Sequence, residues 1–284
     1  MARHGMNDIA VLRQSGSVRV VKNDQVATIT LSNPGRRNAM TEHMWLSMVP
    51  AVDDLATDES VKVVIVRGDN GDFSAGADIS DLDNILKDRE SGQHDGGAVA
   101  TGEAALAGLC KPTIAAIDGY CIGGAWQIAA GCDIRLASKA ATFGITPAKI
   151  GIVYPLEGIK RLVRLAGPAT AKYLLFSADQ VNAQQAYALG LVQIIHEADT
   201  FWEDIESFAH RLASRSQLSI QAMKDIVDTI ADGGADLEAA SSHWQKQMAN
   251  SGDAEIGINA FLSKQQPAFS WNGGQGSSRR HAGG

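Results

Sequence analysis

Two short glycine-bearing segments are the places in this sequence where residue types and spacing suit chemistry. One is Phe73-Ser74-Ala75-Gly76-Ala77-Asp78, and the other is Gly119-Tyr120-Cys121-Ile122-Gly123-Gly124-Ala125. Each follows an apolar run with strand character and precedes a segment with helical character. Small residues in such a turn let a ligand or another stretch of backbone approach closely. A helix start leaves backbone N–H groups without intrahelical acceptors, and these groups carry partial positive charge. Two such turns facing each other would offer two N–H donors to one oxygen. That arrangement is an oxyanion hole, suited to the enolate oxygen of a thioester. A single glycine after a strand is usually no more than a turn, so the weight rests on the pair and on its surroundings.

The elements that must position these turns follow from the patterning. SVRVVK and QVATITL, separated by Asn23-Asp24 within residues 17–31, predict a hairpin. Residues 41–56 have helical spacing, with Thr41 as a cap and Met44, Trp45, Met48 and Val52 facing inward. VKVVIVRG (61–68) and PTIAAIDG (112–119) read as buried parallel strands ahead of the two turns, and IRLAS (134–138) as a third. Residues 80–108 are polar with a break at Gly96-Gly97, which predicts a helix, a mobile loop and a further helix. Beyond residue 155 helical patterns dominate, at 155–166, 168–176, 182–190, 199–214, 217–232 and 236–264, with Pro155 at a first helical position. Strands alternating with helices predict an α/β fold of right-handed parallel units. The expected organisation is a tail at 1–16, a core at 17–200, a helical region at 201–269 and a disordered tail at 270–284.

Composition narrows the function classes. The 284 residues are 45% hydrophobic and 20% charged, enough for a sizeable core. A net charge of −7 and the lack of a basic stripe argue against a nucleic-acid partner. No run approaches the roughly 20 apolar residues of a membrane span, and none near the start suits a signal peptide. Cys110, Cys121 and Cys132 contain no CxxC pair and read as reduced core thiols of a cytoplasmic protein.

Further segments give the turns their context: Asn38-Ala39-Met40, FSAGADI (73–79), KPTIAAIDGYCIGGAWQIAAGCDIRLAS (111–138), TFGITPAKIGI (142–152), GLV (190–192) and FLSKQQPAF (261–269). With these the chain resembles the crotonase, or enoyl-CoA hydratase/isomerase, superfamily from about residue 18 to 269. The resemblance implies a spiral of ββα units with a helical C-terminal trimerisation region, and a homotrimer or a hexamer built from two trimers. It implies an acyl-CoA substrate, with coenzyme A entering as part of that substrate, no tightly bound cofactor and no metal. Carried over by position, the hole's donors are the N–H groups of Ala77 and Gly124. Ala39, Ala75, Asp78 and Ile79 would lie along the coenzyme A, Phe261 and Lys264 near its nucleotide, and Arg36 and Arg37 near its phosphates.

The same resemblance locates the acid–base groups. Hydratases of this family carry one Glu just after the second glycine turn and one after the Pro of the next segment; here those positions hold Gln127 and Ala148. Neither exchanges a proton near neutral pH, so two-carboxylate hydration is not expected. In Gly151-Ile152-Val153-Tyr154-Pro155-Leu156-Glu157-Gly158 the polar candidates are Tyr154, as a weak acid, and Glu157, as an isomerase base or simply a residue favoured by the helix dipole. TPAKIGIVYPLEG resembles the matching segment of methylmalonyl-CoA decarboxylases, which differ at Ala77, by a bulkier polar residue, and at Gln127, by a Glu. Decarboxylation needs little acid–base machinery, because loss of CO2 itself generates the enolate. The expected function is a decarboxylase-like lyase. The alternatives are an enoyl-CoA isomerase, a weak hydratase or thioester hydrolase, a non-catalytic acyl-CoA-binding paralogue and an RNA-binding paralogue, the last disfavoured by the acidic charge.

Overall fold

The computed structural model describes residues 16–87 and 96–273. Its main sheet has six strands: β1 (Ser17–Asn23), β2 (Val26–Ser32), β3 (Val63–Gly68), β4 (Thr113–Ile117), β6 (Ile134–Ser138) and β9 (Ile194–His196). β1 and β2 pair antiparallel, as the hairpin pattern predicts, and every other neighbour is parallel. Helices cover both faces. Val64 and Val66 turn toward the larger core with α1 (Glu42–Thr57), while Val63 and Ile65 pack with Phe201, Ile205 and Ala209 of α7 (Phe201–Ala213). A strand buried on both faces has no polar alternation, which is why this one reads as an unbroken apolar run.

A second, smaller sheet holds β5 (Tyr120–Ile122), β7 (Thr142–Gly144) and β8 (Gln180–Asn182). Isolated bridges Met40↔Ala77 and Ser74↔Cys121 extend its pairing to the loops after β2 and β3. The repeating unit is therefore a main-sheet strand, a short second-sheet segment and a helix. β2 leads through Met40 to α1, and β3 leads through Ser74 to α2 (Leu82–Leu86) and α3 (Gly97–Ala107). β4 leads through β5 to α4 (Gly124–Gly131), and β6 through β7 to α5 (Leu156–Ser177). This is the spiral of ββα units expected from the resemblance. The expected loop inside 80–108 falls partly at 88–95, outside the described residues, and α2 and α3 flank it.

Several boundaries differ from the sequence expectation. The patterns 155–166 and 168–176 join as α5, kinked where Gly167 has φ 77°. Pro155 is the capping residue, with extended ψ 143°, rather than the first helical residue, and α5 begins at Leu156. The single expected helix at 236–264 is two, α9 (Leu237–Ser251) and α10 (Asp253–Ser263), broken where Gly252 is left-handed. With α8 (Gln217–Ala231) they form the C-terminal helical region. Of the expected tail 270–284, residues 270–273 are described: the N–H groups of Ser270 and Trp271 each donate to the buried Asp253 at 3.3 Å, and Trp271 packs edge-on against Trp244. Cys121 and Cys132 are buried free thiols as expected, but Cys110 is exposed. Among the described residues, no helix is long and apolar enough to cross a membrane.

Candidate active site

The first glycine turn is fixed by hydrogen bonds that use nearly every donor it has. Phe73 N–H donates to Asp118 O at 2.7 Å, Ser74 N–H to Tyr120 O at 2.8 Å and Ala75 N–H to Arg37 O at 2.8 Å. Gly76 N–H donates to Ser74 Oγ at 3.0 Å, and Asp78 N–H to Met40 O at 2.8 Å. Ala77 is the exception: among the described residues its N–H has no acceptor. Gly76, at φ 98°, breaks the extended run just before Ala77, so that Ala75 and Asp78 both donate to the 37–40 loop while the Ala77 N–H between them does not.

The second turn lies beside the first, since Ile122 N–H donates back to Ser74 O at 3.1 Å. Gly123 has φ 58° and ψ −116°, a conformation open to glycine, and its N–H donates to Gly144 O at 2.7 Å. α4 then begins at Gly124, whose N–H also has no acceptor among the described residues. A β-carbon on Gly124 would stand 3.3 Å from Ala77 N and 3.2 Å from Trp45 Cζ2. One on Gly76 would stand 2.4 Å from Ile122 O and 3.2 Å from Gly124 N. The two unpaired N–H groups thus belong to one small space that side chains at 76 or 124 would close. The helix dipole of α4 adds positive potential there. Its chemical capacity is to hold a developing oxyanion.

The side chains behind this space form a buried polar cluster. Gln127, one turn along α4, donates from Nε2 to Glu103 Oε2 at 3.3 Å, and Arg161 Nε donates to Glu103 Oε1. Glu103 is 1% exposed. Burial raises its pKa from the ordinary carboxylate value, with the Arg161 guanidinium and the Gln127 amide opposing the rise. Glu103 is a site residue that the motifs do not mark, although the sequence carries a signal for it: Val99, Gly102, Glu103 and Leu106 share the buried stripe of α3, and a carboxylate on an apolar stripe calls for a partner.

The Tyr154 hydroxyl, also buried, donates to Gly123 O at 2.9 Å. Burial, with Glu103 and Cys121 adding to it, pushes this phenol well above its usual range, so it remains a donor. Glu157 turns outward and pairs with Lys160 Nζ at 2.6 Å. Ala148 is exposed in a short 3-10 turn, Pro147–Ile150. Cys121, in strand β5 of the second turn, is buried and its thiol is driven far upward by desolvation, which keeps it protonated and inert as a nucleophile.

The residues expected along coenzyme A divide into two groups. Arg36, Arg37, Ala39, Ala75, Asp78 and Ile79 come together on the rim of the first turn. Arg36 pairs with Asp78 at 2.6 Å, Arg37 lies 4.5 Å over the Tyr120 ring, Ala39 N–H donates to Arg36 O, and Ile79 is 70% exposed. Asp78 also caps the turn that follows it, accepting from Ser80 N–H at 3.0 Å. Phe261 and Lys264 stand apart at the end of α10, which packs chiefly against α9, and Phe261 is 83% exposed.

Comparison with known proteins agrees with this architecture. The sequence profile described as enoyl-CoA hydratase/isomerase matches residues 21–272. The crotonyl-CoA hydratase of Syntrophomonas wolfei is 31% identical over 259 residues, covering 87% of this chain and 95% of its own. The methylmalonyl-CoA decarboxylase of Escherichia coli is 28% identical over 257 residues, covering 89% and 97%. Hydratases predominate among the similar curated proteins, so the decarboxylase is one relative among several and is not singled out. A crystal structure of an enoyl-CoA hydratase/isomerase family member superposes with TM-score 0.88 at 39% identity, covering 92% of this chain and 99% of its own. With paired glycine turns, a spiral of ββα units and a profile match spanning nearly all the described residues, the chain belongs to the enoyl-CoA hydratase/isomerase family.

Proposed function

We propose that this acyl-CoA enzyme forms a thioester enolate between the Ala77 and Gly124 N–H groups by decarboxylating a short 2-carboxyacyl-CoA of the methylmalonyl type. What supports this reading is one contrast: the N–H groups of Ala77 and Gly124 are unpaired and face one space, while the polar side chains around it are neutral or engaged. Gln127 has no titratable proton, Tyr154 donates to Gly123 O, and Glu157 is paired with Lys160. In the step itself, the bond between the α-carbon and the carboxylate breaks. Its electron pair forms the enolate, whose oxygen accepts from the two N–H groups, and CO2 departs. The α-carbon then takes a proton from water, and the hydroxide left behind passes to the solvent, where it combines with the released CO2 as bicarbonate. No general base is required, which suits these side chains.

A specific observation favours a second reading. Gln127 occupies the place of a hydratase glutamate and contacts Glu103, a buried carboxylate with a raised pKa. If Glu103 reaches the substrate through a water, hydration or double-bond isomerisation follows, in keeping with the names of most relatives. The two readings separate in heavy water with methylmalonyl-CoA, crotonyl-CoA and a 3-enoyl-CoA, followed by mass spectrometry. Loss of CO2 with one deuteron gained supports decarboxylation. Water addition or a moved double bond, abolished in Glu103→Gln, replaces it with the second reading. A chain that binds all three and converts none is a binding paralogue.

The same proposal places coenzyme A along the rim from Arg37 to Ile79 and the protein in the cytoplasm. It also assigns the exposed apolar residues Met223, Val227, Ile258 and Phe261 to contacts between copies in a homotrimer. Light scattering on the purified chain tests the last point, and a monomer at micromolar concentration refutes it.

A further inference from the structure

We infer that Tyr154 is a positioning residue for the oxyanion hole, because its hydroxyl donates to the carbonyl of the same peptide unit whose N–H is the Gly124 donor. The inference rests on the oxyanion-hole reading and adds a residue that acts on the hole from behind. The bond from Tyr154 Oη to Gly123 O is 2.9 Å, and Tyr154 is 6% exposed, so water does not compete for it. A peptide is a resonance unit in which donation to the carbonyl oxygen increases C–N double-bond character and shifts positive charge onto the N–H. Gly123 O also accepts from Trp126 N–H at 3.1 Å, so two donors polarise this one peptide. Hydrogen bonds chained through a peptide strengthen one another in a low-dielectric interior.

Geometry gives Tyr154 a second effect. The Gly123–Gly124 peptide has glycine on both sides, and Gly123 sits at φ 58° and ψ −116°. No side chain at either residue opposes rotation of this peptide, and rotation would carry the Gly124 N–H out of the hole. The Tyr154 bond opposes that rotation directly. The ring is itself held from behind: a β-carbon on Gly158 would stand 2.7 Å from Tyr154 Cε1 and 3.0 Å from Gln127 Nε2. Tyr154 is therefore wedged between the start of α5 and the start of α4, with its proton committed to Gly123 O. Protonation of the substrate carbon falls to another donor.

The test reads the hole spectroscopically. Butyryl-CoA carrying carbon-13 at the thioester carbonyl is bound to the intact protein, and its C=O stretch is measured by isotope-edited infrared difference spectroscopy. In the wild-type protein the stretch should move to lower frequency than in free butyryl-CoA. In Tyr154→Phe that displacement should shrink. With 3-fluorotyrosine incorporated at position 154, a stronger donor of nearly the same shape, it should grow. Turnover in Tyr154→Phe should fall roughly 1.5- to 8-fold with KM little changed, the size expected if one peptide donor loses ~10–30% of its strength. A full wild-type displacement in Tyr154→Phe, or no response to fluorination, overturns the inference and leaves the hole intact. Bound butyryl-CoA with no displacement in the wild-type protein refutes the hole itself, and the role of Tyr154 with it. The fluorinated protein keeps the test decisive should the phenylalanine variant fold poorly.

Discussion

Gln127 Nε2 donates to Glu103 Oε2 at 3.3 Å across the contact between α4 and α3, while Arg161 holds the other oxygen of the same carboxylate. An ionised carboxylate only accepts, so the Gln127 amide must present its NH2 group to Glu103 and leave its oxygen free. Glu103 therefore decides which end of Gln127 is available to a substrate or a water. Glu103→Gln would remove that constraint and leave Arg161 without its partner.

The same carboxylate carries a pH signature. Burial raises the Glu103 pKa in the folded protein above its ordinary 4.5, although Arg161 counters part of the rise. The folded state then binds the proton more tightly than the unfolded state. The resulting contribution to stability is fully present below pH 4.5 and is lost as pH rises through the higher folded value. Urea unfolding of wild type and Glu103→Gln across pH 4 to 8 checks this. The difference in stability between them should shift against the wild type as pH rises through that window. A difference that stays flat, or moves the other way, would show that Arg161 holds Glu103 at or below its ordinary pKa.

Gly124→Ala addresses the hole directly. The added methyl would stand 3.3 Å from Ala77 N and 3.2 Å from Trp45 Cζ2, inside the space an oxyanion would occupy. Loss of one donor of this kind costs about 2.7–4 kcal/mol in the transition state, or roughly 100- to 1,000-fold in kcat. Affinity for coenzyme A itself should change little, because the rim residues Arg37 to Ile79 are untouched. Steady-state rates and calorimetric titration with coenzyme A separate the two effects. Retention of more than about a tenth of the wild-type rate would move the reacting oxygen elsewhere.

The parts of this site that were legible in the sequence are those specified locally. Gly76, Gly123 and Gly124 stand out because each follows a strand-like apolar run and precedes a helical pattern, and close backbone approach rules out a side chain at 76 and crowds one at 124. Thr41 was legible as a cap for the same local reason, and it accepts from Met44 N–H at 3.3 Å. What was missed depends on distant pairing. β5, β7 and β8 are three residues each, too short for alternation to register, and they exist because the spiral stacks them. Glu103 lay in a stretch read as polar, and its importance appears only when α4 and α5 bring Gln127 and Arg161 to it. In the sequence Tyr154 reads as a candidate acid. Sequence alone could not show that its proton is directed at Gly123 O.

Gln127→Glu tests whether the missing carboxylate is what separates this site from a two-carboxylate hydratase. The new acid would stand at hydrogen-bonding distance from Glu103, given the present 3.3 Å contact. Two carboxylates that close cannot both ionise easily, so one keeps its proton to higher pH and the pair titrates as a unit. A carboxylate next to the hole can then remove a proton from the α-carbon. Deuterium uptake by butyryl-CoA in heavy water, followed by mass spectrometry, should rise roughly a hundredfold over wild type, the low end of what a positioned acid–base group contributes. Uptake at the wild-type rate would show that position 127 does not face the α-carbon.

Gly158→Ala provides a route to Tyr154 that leaves the phenol in place. The methyl would meet Tyr154 Cε1 at 2.7 Å and Gln127 Nε2 at 3.0 Å, so the ring must shift or α5 must move. Overpacking of this kind costs about 1–3 kcal/mol of stability. The ring shift should also weaken the bond to Gly123 O, lowering kcat in the same direction as Tyr154→Phe. Because both changes act through one hydrogen bond, the double variant should lose little more activity than Tyr154→Phe alone, a strongly non-additive cycle. Stability provides the contrast: the steric cost of the methyl should persist when the hydroxyl is absent, because the ring edge that it meets is still there. Fully additive losses of activity would separate Gly158 from the Tyr154 contact and confine its role to the packing of α5.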